Sequence, residues 1–135
     1  MLFRSGNHGA YDAWVTKLNN NGSIQWSKCF GGSDEEALIS MKEDLNGNYV
    51  LVGGAASNDG DVIGQHGGQD LWILKLDTSG TILSQKCLGG SDFDVAVSID
   101  NTSDGGFVLA GFTYSQNGDV TGVHGLSDYW ILKLN

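Results

Sequence analysis

The sequence predicts an all-β protein built from a repeated unit of four short strands. Three observations support this fold class. Short motifs recur along the 135-residue chain at a constant step of 58 residues. Glycine is abundant, with 21 residues, and proline is absent, a composition typical of short strands joined by tight turns. Apolar residues alternate with polar or small ones in runs of about seven, which is the pattern of β-strands.

The repeat appears in several kinds of motif that share one step. An Asp-x-Trp triplet begins at Asp12, Asp70 and Asp128. The same step relates a cysteine, a lysine-leucine pair, a Gly-Gly-Ser-Asp motif and a histidine, which begin at Cys29/Cys87, Lys17/Lys75/Lys133, Gly31/Gly89 and His8/His66/His124. No gap is needed in these alignments. We interpret residues 1–5 as a non-repeat N-terminal scar or truncation and residues 6–135 as the repeat segment, with copies starting near 8, 66 and 124.

Each copy contains four strand-like runs. They lie near residues 12–18, 23–30, 37–43 and 49–56, and again near 70–76, 81–88, 94–100 and 107–114, and a ninth run repeats the Asp-x-Trp strand at the end. The run at 70–76 is apolar on both faces, which predicts a strand between two neighbouring sheets. The run at 81–88 is the most polar, so we expect it to be the most exposed. Turn sequences such as Asp77-Thr-Ser-Gly80 separate the runs.

Four antiparallel strands per repeat, grading from apolar to polar, fit the blade of a β-propeller. The alternatives are a β-solenoid, which usually has a shorter period, and a two-sheet sandwich, which does not need near-identical units. Known propellers close with about four to eight blades. This chain encodes about two and a third repeats. We therefore expect a partial propeller that is completed by other blades of a longer chain, which the scar-like N-terminus favours, or by self-association.

Four motifs between residues 89 and 134, three in the second copy and one in the partial third, together resemble a known group of repeats. They are Gly89-Gly-Ser-Asp92, Asp104-Gly-Gly-Phe-Val-Leu-Ala-Gly111, Asn117-Gly-Asp-Val120 and Asp128-Tyr-Trp-Ile-Leu-Lys-Leu134. The pattern resembles the Gly/Asp-rich propeller repeats of bacterial secreted and surface proteins, which are distantly similar to kelch-like and quinoprotein-like blades. The resemblance covers nearly the whole chain. It implies a propeller fold and an extracellular or cell-surface location, and it carries no catalytic motif.

Trp26 matches a tryptophan that docks one blade of this family on the next. Ser84 occupies the corresponding place in the second copy, so the resemblance implies docking at only one of the two positions. The tryptophans of the three Asp-x-Trp motifs are expected in the core rather than in a sugar-stacking set, because apolar residues flank them. The aspartate before each of them is expected to hydrogen-bond the preceding glycine-rich loop.

Charge and cysteine content restrict the partners. The net charge is -9 and the seven lysine and arginine residues are dispersed, which argues against nucleic-acid binding. No apolar segment is long enough to predict a membrane span. Cys29 and Cys87 occupy equivalent positions of neighbouring units, while a disulfide requires Cα atoms within about 7 Å. We expect both to be free, buried thiols.

A ligand-binding face is predicted at one end of the strands. Successive connections of a meander alternate between the two ends, so the Gly-Gly-Ser-Asp connection and the long connection 57–69 emerge together. Long loops on a rigid scaffold are where binding residues concentrate. The candidate ligand-binding residues on this loop face are Asp34, Asp59, Asp61, His66, Asp92, Asp94, Asp119 and His124.

Calcium is a weak candidate ligand for Asp59 and Asp61, since carboxylate oxygens and a glycine between them suit that ion. Asn117 stands in the second copy where the first has Asp59, and the spacing of an EF-hand is incomplete. The favoured alternative is that these residues cap turns. No zinc site is expected, because equivalent histidines of adjacent sheets lie about 10 Å or more apart.

The sequence therefore predicts a non-catalytic propeller segment that serves an exported protein as a scaffold or as a module for protein or glycan interaction. The first alternative is a propeller enzyme whose active site is completed by blades missing from this chain. The second is a structural repeat stabilised by calcium. The two copies differ mainly by conservative replacements such as Tyr49/Phe107 and Met41/Ile99, which favours the scaffold over the enzyme.

Overall fold

The computed structural model describes residues 6–135, and this part of the chain contains nine antiparallel β-strands. Residues 1–5, interpreted above as a scar or truncation, lie outside the described residues. The strands are β1 (Ala13–Leu18), β2 (Ile24–Phe30), β3 (Glu36–Glu43), β4 (Tyr49–Ala55), β5 (Asp70–Leu76), β6 (Ile82–Leu88), β7 (Asp94–Asn101), β8 (Phe107–Thr113) and β9 (Asp128–Leu134). The predicted all-β class is confirmed, and every predicted run from β1 to β8 agrees with the observed strand within one residue at each end.

The strands form three sheets. The first contains β1 and β2, the second β3-β4-β5-β6, and the third β7-β8-β9, with neighbours in sequence paired in each. The second sheet therefore combines the last two strands of the first sequence copy with the first two strands of the next. Each boundary between sheets falls in a Gly-Gly-Ser-Asp connection, between β2 and β3 and between β6 and β7.

The second sheet lies between the other two and is apolar on both faces. Trp72 and Leu74 of β5 are fully buried on the side of the first sheet. Leu71 and Ile73 of the same strand point to the third sheet and are buried there. This arrangement confirms the prediction that the strand at 70–76 lies between two sheets. It follows from the period-2 alternation of a strand whose two faces are both apolar.

Two apolar cores hold the three sheets together. The buried residues between the first and second sheets are Ala13, Phe30, Leu51, Ala55, Val62, Trp72, Leu74, Leu76 and Cys87. Those between the second and third sheets are Val50, Val52, Leu71, Ile73, Ala96, Ile99, Phe107 and Leu109. Each large side chain that is fully buried contributes about 1.5–3 kcal/mol to folding. The sheets are therefore joined by packing across faces and not by one shared ladder.

A bulge and a glycine recur together in the second and third sheets. The register shifts between Leu38 and Ser40 in β3 and between Ala96 and Ser98 in β7. Beside each bulge, a Cβ atom added to Gly53 or its counterpart on β8 would overlap a carbonyl oxygen of the bulged strand. Glycine is required at both positions because the neighbouring backbone occupies the space of a side chain.

Short hairpin turns lie at the end opposite the long loops. In the turn after β3, the Asp44 carboxylate accepts hydrogen bonds from the backbone of Asn46 and Asn48. Lys75 of β5 lies 2.8 Å from Asp44 and, with Asn48, holds the pKa of that carboxyl well below its usual range. Lys133 pairs with Asp104 at 3.0 Å in the third sheet. The repeated lysine thus ties its strand to an adjacent turn.

Trp26 docks the first sheet on the second. Its indole N–H donates to the carbonyl oxygen of Thr78 at 3.0 Å, and its ring packs against Gly80 in the turn between β5 and β6. Lys28 donates to the carbonyl of Gly80 at 2.8 Å. Ser84, at the corresponding place in the second copy, is exposed. These contacts agree with the docking that the sequence pattern implied for the first copy alone.

Replacing Trp26 tests this contact. We expect Trp26→Ala to lower the free energy of unfolding by about 2–3 kcal/mol, because the half-buried ring loses its packing and its hydrogen bond. Urea denaturation followed by far-UV circular dichroism measures this. Ile24→Ala on the same strand is the control, since Ile24 is 64% exposed and its loss should cost about 0.5 kcal/mol or less. Equal losses in both variants would contradict the docking role.

Candidate functional site

The two loops of the first copy that were predicted to share a face are in direct contact. The backbone N–H of Ser33 donates to the Asp59 carboxylate at 2.7 Å. The N–H of Asp34 donates to the Ser57 hydroxyl at 2.8 Å. Asp61 and Gly31 complete the contact through backbone and side-chain hydrogen bonds. The Gly-Gly-Ser-Asp connection is therefore held by the long loop beside it.

The second copy repeats this arrangement with one informative change. Asn117 stands in place of Asp59, and its amide oxygen accepts from the backbone N–H of Ser91 at 2.8 Å. Asp119 accepts from Gly89 at 3.2 Å, as its counterpart does in the first copy. An amide and a carboxylate serve equally at this position, so the loop requires an acceptor and not a charge. This supports the turn-capping interpretation of the Asp59-Gly-Asp61 segment.

Neighbouring loops connect into one surface across the sheets. The loop 57–69 contacts the first Gly-Gly-Ser-Asp connection as described, and it also reaches the second one. The backbone N–H groups of Gly68 and Gln69 donate to the carbonyls of Ser91 and Asp92, both at 3.2 Å. Parallel bridges join Tyr11 to Glu35 and Gln69 to Phe93 across the sheet boundaries. The loop face is thus continuous from one sheet to the next.

Two carboxylates at the sheet boundaries lie beneath this surface. Glu36 is 4% exposed and accepts from the backbone N–H groups of Gly32 at 2.8 Å and Ser57 at 3.0 Å. Asp94, its counterpart, is fully buried and accepts from Gly90 and from the hydroxyl groups of Thr113 and Ser115. Asp94 was among the candidate ligand-binding residues. Its burial assigns it to the support of the loop face and not to contact with a ligand.

A second pair of carboxylates reaches the same boundaries from the preceding strand. Asp12 and Asp70 stand at the entrances of β1 and β5. A Cβ atom added to Gly31 would lie 2.6 Å from Asp12 Oδ1, and one added to Gly89 would lie 3.0 Å from Asp70 Oδ1. A side chain at the first position of the Gly-Gly-Ser-Asp motif would overlap these carboxylates, so glycine is required there.

The repeated histidine is held by the aspartate four residues later. The backbone N–H groups of His8, His66 and His124 donate to Asp12, Asp70 and Asp128, at 2.6, 3.0 and 2.7 Å. The predicted hydrogen bond from this aspartate to the preceding loop is confirmed in all three copies. In the second copy the ring also takes part, with His66 Nδ1 lying 2.6 Å from Asp70 Oδ2.

Asp70 has one oxygen in each of two different environments. Oδ2 contacts His66, whereas Oδ1 is buried without a hydrogen-bond partner among the described residues. Burial raises the pKa of the Asp70 carboxyl, against the opposing effect of His66, and the nearby Asp94 adds to the rise. Asp12 Oδ1 is buried without a partner in the same way. These oxygens lie inside the boundary and face no solvent.

The remaining predicted residues are more accessible. Asp34 and Asp92 are exposed, and the loop is held by their backbone N–H groups, which leaves the carboxylates directed to solvent. The side chains of His66 and His124 are 43% and 91% exposed. Asp59 and Asp119 are exposed but hold neighbouring backbone, and Asp61 is half-buried.

The loop that contains Asp59 and Asp61 is also the candidate site for a metal ion. Within residues 6–135, no group of three or more His, Cys, Asp or Glu side chains is arranged so that it could hold a metal ion. Asp59 and Asp61 each direct one carboxylate oxygen to a backbone N–H group. Calcium binding at this loop stays a hypothesis.

An aromatic cluster beside Asp92 was not predicted. The ring centroids of Phe93, Phe112 and Tyr114 lie 6.0–6.1 Å apart, with one stacked and two edge-on pairs. Phe93 is 38% and Tyr114 43% exposed. The first copy has Glu35, Gly54 and Ala56 at these positions, so the cluster breaks the repeat symmetry. A residue-by-residue comparison of the two copies contains the signal that finds it.

Comparisons with known proteins do not assign a family. No protein-family model matches the chain. No curated protein matches it significantly. In the part of the chain that the structure describes, no helix has the length and apolar character needed to cross a membrane.

Replacing Asp70 by asparagine tests the buried carboxyl. A raised folded-state pKa stabilises the fold below the unfolded value, near pH 4, and this stabilisation is lost as the pH rises through the folded value. We therefore expect Asp70→Asn to gain stability relative to the natural chain as the pH rises from about 4 to 7. Thermal unfolding across this range measures the difference.

Asp128→Asn is the control for the effect of replacing a carboxylate by an amide at this position of the repeat. The Asp128 side chain is 38% exposed, so we expect this substitution to change stability with little dependence on pH. A difference between Asp70→Asn and the natural chain that is the same at every pH would contradict the role of the Asp70 charge.

The two cysteines should differ in reactivity. Both are free, with Cys29 half-buried and Cys87 buried. Burial, with the charges of Asp70 and Glu36, raises the pKa of the Cys87 thiol to about 12, and a thiolate is needed for reaction. We expect iodoacetamide at pH 8 to modify Cys29 and to leave Cys87 unmodified until the protein is unfolded. Peptide mass spectrometry measures both sites, and modification of Cys87 in the folded protein would contradict its burial.

Proposed function

We propose that the chain is a segment of a β-propeller of the Gly/Asp-rich kind and that it serves an exported protein as a non-catalytic interaction module. Its three sheets would be consecutive blades, of which the second is complete. The support is the stacking of sheets face to face, each related to the next by a step of 58 residues. The same composition and motifs support the assignment to the propeller repeats that the sequence resembles.

The observation that carries the functional proposal is the exposed loop face on a rigid support. Its connections are fixed by backbone hydrogen bonds to buried carboxylates, so the exposed groups need little further ordering to bind a ligand. Asp34 and Asp92 present carboxylates to solvent on this face. A pre-organised surface of this kind suits recognition of an extracellular protein or glycan.

The aromatic cluster favours a glycan over a protein. Phe93 and Tyr114 are partly exposed beside Asp92, and an aromatic face can pack on the apolar face of a sugar ring. A carboxylate such as that of Asp92 accepts hydrogen bonds from sugar hydroxyl groups. We therefore propose that glycan recognition is centred on the second copy, around Phe93.

The absence of catalysis is part of the proposal. Glycan-cleaving sites use two carboxyl groups about 5–9.5 Å apart that both face the substrate. The carboxylates of Asp59 and Asp61 on the loop face, and that of Glu36 beneath it, accept backbone hydrogen bonds of the protein itself. This use of the carboxylates supports a binding role over general acid–base chemistry.

A glycan array probed with the fluorescently labelled chain tests this function. We expect binding to a restricted set of glycans, and a loss of affinity of about tenfold or more in Phe93→Ala, because one aromatic contact and its packing disappear. Asp92→Asn should weaken binding of the same glycans. Leu45→Ala is the matched control, since Leu45 is 86% exposed in a hairpin turn at the opposite end of the sheets.

A natural chain that binds no glycan, or a Phe93→Ala variant that binds as the natural chain does, would overturn the glycan proposal. Binding of a secreted protein that is lost in Asp34→Asn and Asp92→Asn would instead identify a protein as the ligand of the loop face.

A further inference from the structure

The strand β1 has a partner along only one of its edges within residues 6–135. β2 pairs with that edge. The counterparts of β1 in the repeat are β5 and β9. β5 has partners along both edges, and along the edge that is open in β1 it pairs with β4, with Gly53 opposite Trp72. β9 pairs along that same edge with β8, with Gly111 opposite Trp130. The corresponding edge of β1 therefore presents backbone N–H and C=O groups that can pair with an added strand.

An apolar groove lies beside this open edge. It has a volume of about 310 Å³ and is lined by residues that include Trp14, Val15, Thr16, Leu38, Ile39 and Met41. Trp14 is 69% exposed, whereas its counterpart Trp72 is fully buried. Met41 is 48% exposed, whereas its counterpart Ile99 is 2% exposed. The groove thus corresponds to the position that β3 and β4 fill at the boundary between the second and third sheets.

The other two sheets show what kind of segment fills this position. It is a hairpin with a bulged first strand, and its second strand carries a glycine opposite the tryptophan of the neighbouring strand. In β8 that residue is Gly111, where a side chain would overlap the carbonyl oxygen of Val95. We propose that the groove accepts the β7–β8 hairpin of a second copy of the chain, with β1 taking the place of β9 in that copy's third sheet.

The sequences of β1 and β9 make this exchange possible. Both follow an aspartate or begin with it, carry a tryptophan two residues later and end in Lys-Leu, so β1 can adopt the register that β9 has with β8. β9 pairs with the third sheet along one edge only among the described residues, and on its outer face Tyr129 and Ile131 are 91% and 64% exposed. β1 would bring β2 with it as a fourth strand, and its Trp14 would become covered.

The exchange is head-to-tail, since each copy offers a hairpin at one end and accepts one at the other. Such a contact closes into a ring when the rotation allows. Each chain would then contribute two four-stranded sheets, and a ring of about four to eight sheets needs about two to four chains. This stoichiometry rests on the propeller proposed above, while the exchange itself and its register rest on the observed strand pairing.

The first test is the mass of the full chain in solution, measured by light scattering after size exclusion. We expect a discrete oligomer of about two to four chains. Trp14→Arg should give a monomer, because the charge would be buried on β1 in the shared sheet. Tyr129→Arg is the matched control: it changes an exposed aromatic residue of β9, the strand that leaves, and should keep the oligomer. A natural chain that is monomeric at its highest soluble concentration would overturn the proposal.

Disulfide formation between introduced cysteines tests the proposed register of β1 with β8. This test does not require that the Trp14→Arg variant folds. Val108 pairs with Lys133 within the chain, and the counterpart of Lys133 is Lys17. In a Cys29→Ala background, Val108→Cys with Lys17→Cys should give chains linked to one another on oxidation, since opposed residues come within bridging distance. Val108→Cys with Lys133→Cys is the control for the unexchanged state and links residues of one chain.

The two tests separate the exchange from the propeller. Cross-linked chains with a mass outside two to four copies would support the exchange and contradict closure of a propeller ring. An oligomer in which Lys17→Cys with Val108→Cys forms no link between chains, while the Lys133→Cys pair forms one within each chain, would overturn the exchange.

Discussion

The fold depends on buried carboxylates at the boundaries between sheets. Glu36 and Asp94 stand where one sheet passes to the next, and each accepts a hydrogen bond from the backbone N–H of the second glycine of the Gly-Gly-Ser-Asp motif. Asp12 and Asp70 approach the same glycines from the preceding strand. Burying a carboxylate is costly unless its oxygens are hydrogen-bonded, so the loops must adopt a conformation that provides those bonds. This requirement fixes the loop face and the glycines together.

Strand positions were predictable from the sequence because they follow from local chemistry. Alternation of apolar residues locates a strand, and turns of the form Asp-x-x-Gly locate its ends, as the turns at Asp44 and Asp77 show. The repeat then confirmed each assignment in the second copy. The two apolar faces of β5 likewise revealed that it lies between two sheets, because both sets of side chains had to be buried.

Other features depend on tertiary contacts that a single sequence does not specify. Asp92 and Asp94 lie two residues apart with similar chemistry, yet one is exposed and the other fully buried. Only the position of the sheet boundary decides which of them points inward. The pairing of Lys75 with Asp44 joins strand β5 to the turn after β3, 31 residues away in the sequence, so spacing does not reveal it. The cluster of Phe93 and its aromatic neighbours does not follow from the repeat, because its residues differ between the copies.

The replacement of Asp59 by Asn117 has a consequence for how such a chain can change over time. The loop keeps its hydrogen bonds with either residue, while the charge that it shows to solvent differs. The backbone conformation of the loop therefore does not depend on the charge that the loop exposes to solvent. Duplicated units can therefore change their exposed residues without refolding, as the aromatic cluster of one copy illustrates. A tandem array of these units would present surfaces of different composition on one common backbone framework.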